Sequence, residues 1–109
     1  MGPGRIMLLP MSVFAVEYVY VADTESIRDE HRPAHREFLA GLVADSDGIA
    51  LVASGPYVDG SGALLLIAAP SQAALAERLA KDPFAINGTI AVLRMTEWSP
   101  VTGELAHHA

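Results

Sequence analysis

The chain of 109 residues contains no cysteine, which excludes disulfides, thiolate nucleophiles and any zinc site built on sulfur. The same absence agrees with a reducing compartment, so a cytoplasmic location is expected. Positive charge is scarce, with seven Lys and Arg against thirteen Asp and Glu and a formal net charge of −6. No basic cluster or basic amphipathic helix offsets it, so neither nucleic acid nor a membrane surface is expected as a partner. Apolar residues make up 51% of the chain, yet no run approaches the ~18 residues that a membrane span needs. No glycine-rich loop opens a helix. Asp59-Gly60-Ser61-Gly62 joins two strands and makes a poor phosphate cradle, so no cofactor is expected.

What is present fits one small domain. A chain of this size buries only about 60–70% of its unfolded surface, and its apolar surplus points to a subunit interface. Residues 1–11 read as a flexible extension with too short an apolar stretch for a secretory core. Residues 12–103 read as the domain and residues 104–109 as a polar tail carrying His107 and His108.

Val13 to Val21 is rich in β-branched and aromatic residues and apolar in both alternating sets, with Glu17 the exception, so it reads as a strand buried on both faces. A short helical turn ending near Arg28 is expected next, then a helix from Pro33 to about Ala44, because proline is favoured at the first helical position. Its apolar stripe would be Ala34, Phe38, Leu39, Leu42 and Val43. Asp45-Ser46-Asp47-Gly48 closes it. Strands at Ile49 to Ser54 and Ala63 to Ala69 flank the Asp59–Gly62 turn. A second helix starts after Ser71, with Leu75, Ala76, Leu79 and Ala80 inward, and Asp82-Pro83 breaks it. Ile90 to Trp98 is the last strand. The order is βαββαβ, an α+β ferredoxin-like arrangement with a four-stranded antiparallel sheet. Both helices would cover one sheet face and a second subunit the other, giving a dimeric α/β barrel.

Two short motifs carry the candidate chemistry. In Arg32-Pro33-Ala34-His35 the imidazole would sit in the first helical turn, where the positive dipole end favours its neutral, proton-accepting form. From position alone it also reads as a helix-surface histidine, or as one packed on Leu39. In Asp82-Pro83-Phe84 the carboxylate could orient that histidine, and it also suits the N-cap of a short turn over Phe84 to Asn87. Arg32 could grip a carboxylate or phenolate, or pair with a neighbouring acid. Ser54, at a strand end before Gly55-Pro56, could orient a ligand oxygen, and Tyr18, Tyr20 and Phe84 could line a cavity. His31 precedes His35 by four residues, a zinc-compatible spacing, but Pro33 would place it outside the helix and no third ligand is evident, so no metal is expected. Glu17 and Arg94 are expected to pair across strands.

These motifs, with Ser54-Gly55-Pro56 and Glu97-Trp98-Ser99-Pro100, resemble those of the YCII family over Met11 to Gly103. The resemblance implies a dimeric ferredoxin-like barrel with a His-Asp pair, His35 and Asp82, in the active site. Substrate contacts are expected from Arg32, Ser54, Gly55, Pro56, Phe84 and Tyr18. It further implies small-molecule chemistry. Some members are associated with breakdown of halogenated or hydroxylated aromatics, and muconolactone isomerases share the fold. The expected activity is cofactor-independent acid–base isomerisation or elimination by a homodimer or higher homo-oligomer. The alternative is a non-catalytic dimeric module that binds a small ligand or regulates a partner.

Overall fold

The computed structural model describes residues 11–43 and 48–109. Residues 1–10 of the expected extension, the helix end at Ala44 and the closing Asp45-Ser46-Asp47 lie outside the described residues. Gly48 does take the left-handed conformation, at φ 84°. In chain order the elements are β1 (Ser12–Tyr20), α1 (Glu25–Val43), β2 (Ala50–Pro56), β3 (Gly62–Ala69), α2 (Gln72–Leu79), α3 (Pro83–Ile86) and β4 (Ile90–Trp98). A single 3-10 turn, Ala106–His108, occupies the segment expected as a polar tail.

The four strands form one sheet in the order β2-β3-β1-β4, every neighbouring pair antiparallel. This is the expected α+β ferredoxin-like fold, with the two most apolar strands at its centre. Alternation along β1 and β3 sends Phe14, Val16 and Tyr18, with Ala63, Leu65, Ile67 and Ala69, to one face. There they meet Leu42 of α1 and Leu75 and Leu79 of α2 in one core. Each fully buried large side chain contributes roughly 1.5–3 kcal/mol. On the opposite face Val13 and its partner Ala68 are buried, but Val19, Leu64 and Val92 are exposed around Glu17. The burial of β1 on both faces is thus reached only at its Val13 end.

The main departure from expectation is α1. It is one helix of 19 residues with Pro33 in its interior, and it begins after Thr24, whose carbonyl accepts from Arg28 N–H at 2.9 Å. Pro33 removes one backbone donor and crowds the preceding turn, at a cost of about 3 kcal/mol in a free helix. Here the packed stripe on both sides of the proline outweighs that cost. The stripe comprises Arg28, His31, Arg32, His35, Phe38, Leu39 and Leu42, while Ala34 and Val43 are exposed. In α2 likewise Leu75 and Leu79 are buried, and Ala76 and Ala80 face solvent.

Candidate active site

Asp82 lies where α2 ends and α3 begins. It caps α3, with Oδ1 accepting from Phe84 N–H at 3.0 Å and Pro83 opening the helix. The short helix is tied down at its other end by Thr89, whose N–H and Oγ1 both donate to the Phe84 carbonyl, at 3.1 and 2.8 Å. The Thr89 carbonyl in turn accepts from Val21 N–H at 2.8 Å, which fixes α3 to the end of β1. Cap and anchor hold Phe84 buried.

The same carboxylate reaches two further groups. Oδ1 is 2.7 Å from His35 Nδ1, and Oδ2 accepts from Tyr18 Oη at 2.8 Å. Asp82 is fully buried and the His35 side chain is 12% exposed. An isolated carboxylate in such a place would be costly; three converging hydrogen bonds offset that cost. Phe84 N–H and Tyr18 O–H can only donate to it, and a carboxylate shared in this way takes the His35 Nδ1 proton as its third bond. The neutral ring therefore carries its proton on Nδ1, and its free lone pair is on Nε2. Phe84 stacks on the imidazole with centroids 3.8 Å apart and planes 4° from parallel. Imidazole position, tilt and tautomer are all fixed by α3.

His35 occupies the middle of α1 rather than its first turn, the only place where the helix dipole acts strongly. That expectation is corrected by the course of the helix through Pro33. For the same reason His31 shares the helix with His35, one turn away. Its Nε2 is 3.8 Å from Glu30, while the His35 Nδ1 is taken by Asp82. Among the described residues no group of three or more metal-ligating side chains converges.

A cavity of about 410 Å³ opens against this cluster. Its wall includes Arg32, His35, Phe84 and the Ser54-Gly55-Pro56 end of β2, all singled out in the sequence. Arg32 also pairs with Asp29 one turn before it, the ion pair with a neighbouring acid that was the structural alternative for it. Tyr18 is the exception. It is fully buried, is absent from the wall, and donates its hydroxyl to Asp82, so it does not face the cavity as expected. Burial first, then the charge and hydrogen bond of Asp82, push the Tyr18 phenol far above its ordinary range. Sequence alternation places Tyr18 on the inner face; only the fold reveals that Asp82 is its partner.

The sequence reading also passed over Arg28, Arg36 and Glu25, which line the cavity. The Arg28 guanidinium lies 4.0 Å over the Tyr20 ring, and Tyr20 meets Phe84 edge-on at 6.1 Å. Burial raises the Tyr20 phenol above its ordinary range, against the pull of Arg28 and Arg32. The missed signal was a spacing of four from Arg28 to Arg32 to Arg36, hidden by starting the helix at Pro33. On the outer sheet face, Glu17 accepts from Tyr57 Oη at 2.6 Å and stands 3.7 Å from Arg94, as expected of that cross-strand pair.

The family model of the YCII-related domain matches residues 12–99. The chain belongs to that family. No curated protein matches it. Among solved structures, this YCII-related protein is similar to 5-chloro-2-hydroxyhydroquinone dehydrochlorinase from Burkholderia phenoliruptrix in complex with 2,5-dihydroxybenzoquinone. The TM-score is 0.70 at 21% identity, covering 80% of this chain and 93% of that one. A candidate antibiotic biosynthesis monooxygenase from Bacteriodes thetaiotaomicron aligns with a TM-score of 0.57 at 16% identity, covering 87% and 93% of the two chains. At these identities the two likenesses establish the shared fold.

Proposed function

We propose that this YCII-related protein is a cofactor-independent acid–base enzyme that eliminates a small leaving group from a hydroxylated ring. The observation that carries the reading is the pairing of His35 Nδ1 with the buried Asp82 at 2.7 Å on the wall of a ring-sized cavity. Nε2 is then a fixed base, and Asp82 stabilises the imidazolium formed when it takes a proton. The dehydrochlorinase of similar fold suggests the substrate class, a halogenated hydroquinone.

The proton count closes without a redox partner. Nε2 takes the proton of the hydroxyl beside the halogen and returns it to the halogen-bearing carbon, leaving a ketone. The hydroxyl across the ring then loses its proton, its electron pair shifts through the ring, and halide departs with the carbon–halogen pair. The product is a quinone, and the net loss is one HX. Arg32, Ser54, Gly55, Pro56 and Phe84 are the substrate contacts in this reading.

The test is halide release from chlorinated hydroxyhydroquinones, followed by ion chromatography. His35→Ala should reduce turnover by roughly 10²–10⁴-fold, the usual contribution of a positioned base. Its stability should fall by about 2 kcal/mol, because the buried Asp82 loses one of its three donors, so turnover is compared well below the melting temperature. Turnover that persists in His35→Ala would sink the mechanism. Ligand binding without any turnover in the native protein would favour the non-catalytic module.

A further inference from the structure

The cavity wall is positive in a protein that is otherwise strongly negative. Three of the seven lysines and arginines, Arg28, Arg32 and Arg36, line this one cavity, while the chain as a whole carries −6. They follow one another at four-residue intervals along α1 and form a single row. Like charges at this spacing disfavour a helix. Arg32 is relieved by its ion pair with Asp29. Arg28 rests on Tyr20 and donates weakly to Thr24 Oγ1 at 3.4 Å, with no carboxylate partner among the described residues. Arg36 has no ion-pair partner among the described residues. Glu25 is the one acid in the wall and leaves the row in excess.

We propose that the Arg28-Arg32-Arg36 row is an oxyanion subsite, and that the molecule accepted by this cavity is a small ring bearing a carboxylate. Arg28 and Arg32 lie on the same stripe of α1 as His35, and the exposed Arg36 borders it and also lines the cavity. An anchored carboxylate therefore holds the ring within the cavity while a ring hydroxyl faces the imidazole. Guanidinium forks match a carboxylate in two-pronged geometry. A phenolate would present a single charged oxygen to the same forks and gain less from them. The inference rests on the proposed function in taking this cavity as the substrate site, but not on the reaction there.

Calorimetric titration of the full chain with 2,5-dihydroxybenzoate, its neutral methyl ester and hydroquinone tests it. The acid should bind at least tenfold more tightly than the ester, the scale of a hydrogen bond to a charged group. Raising the salt concentration should narrow that gap. Arg36→Gln, an exposed position, should weaken the acid about tenfold and leave the ester unchanged, with the fold checked by circular dichroism. His35→Ala should preserve the gap. Equal binding of acid and ester, equal losses of both in Arg36→Gln, or no binding of either overturns the subsite. Hydroquinone binding as tightly as the acid overturns the carboxylate preference. A missing halide release beside an intact gap would count against the chemistry alone.

Discussion

Asp82 performs two tasks with one side chain, capping α3 through Phe84 N–H and fixing the His35 ring. Tyr18 completes its coordination, and a Tyr18→Phe variant isolates that contribution. Leaving a buried carboxylate one donor short should cost about 2 kcal/mol at neutral pH. The variant should also change the response to alkali. Below the ordinary phenol value of 10.0, Tyr18 is protonated in both folded and unfolded chains and its contribution is whole. Above it the unfolded chain releases the proton while the folded chain retains it, so stability falls as pH rises. Tyr20 is shifted the same way, so the slope in Tyr18→Phe should be shallower rather than absent. Urea midpoints measured near pH 8 and near pH 11 test this, and parallel losses in both proteins would refute it.

Glycines give the sharpest contrast between elements. A Cβ on Gly62 would lie 1.9 Å from the Tyr18 carbonyl oxygen, so the alanine variant must push β1 and β3 apart beside the site. Gly62→Ala should cost about 3 kcal/mol, the upper end of overpacking, and should weaken activity with stability. Gly41 sits in α1 with open space around it, and Gly41→Ala should stabilise by roughly 0.5–1 kcal/mol. Thermal melts of the two variants should move in opposite directions. The same elements mark how far the sequence could be read. The order of elements, the Asp82 cap and the apolar character of β1 and β3 followed from local chemistry, because alternation and capping are local. The course of α1 did not. Pro33 carries a strong local signal for a helix start, and only tertiary burial of Phe38, Leu39 and Leu42 on one side and of the cavity-lining stripe on the other overrides it. A helix start at Pro33 hides the arginine row and puts His35 in a first turn, whereas α1 holds both in its interior.

At the scale of the molecule, the outer sheet face is the unfinished part. Val19, Val92 and Trp98 are 40%, 46% and 41% exposed on it, around the Glu17–Tyr57–Arg94 cluster. Adjoining apolar side chains of this size seldom stay in water on a small domain. The expected assembly is a homodimer with the two outer faces stacked. Light scattering should return twice 11.5 kDa, and Val92→Glu should shift the population towards single chains. A native protein that stays monomeric at millimolar concentration would contradict this.

The alternation of β1 also sets a penalty on misthreading. Glu17 and Tyr18 are neighbours that point to opposite sides of the sheet, one to the outer cluster and one to Asp82. Sliding β1 by a single residue would exchange them, thrusting a second acid at the sequestered aspartate and stranding a phenol outside. Two carboxylates in so dry a place repel each other strongly. Errors in threading are thereby rejected by charge as well as by shape.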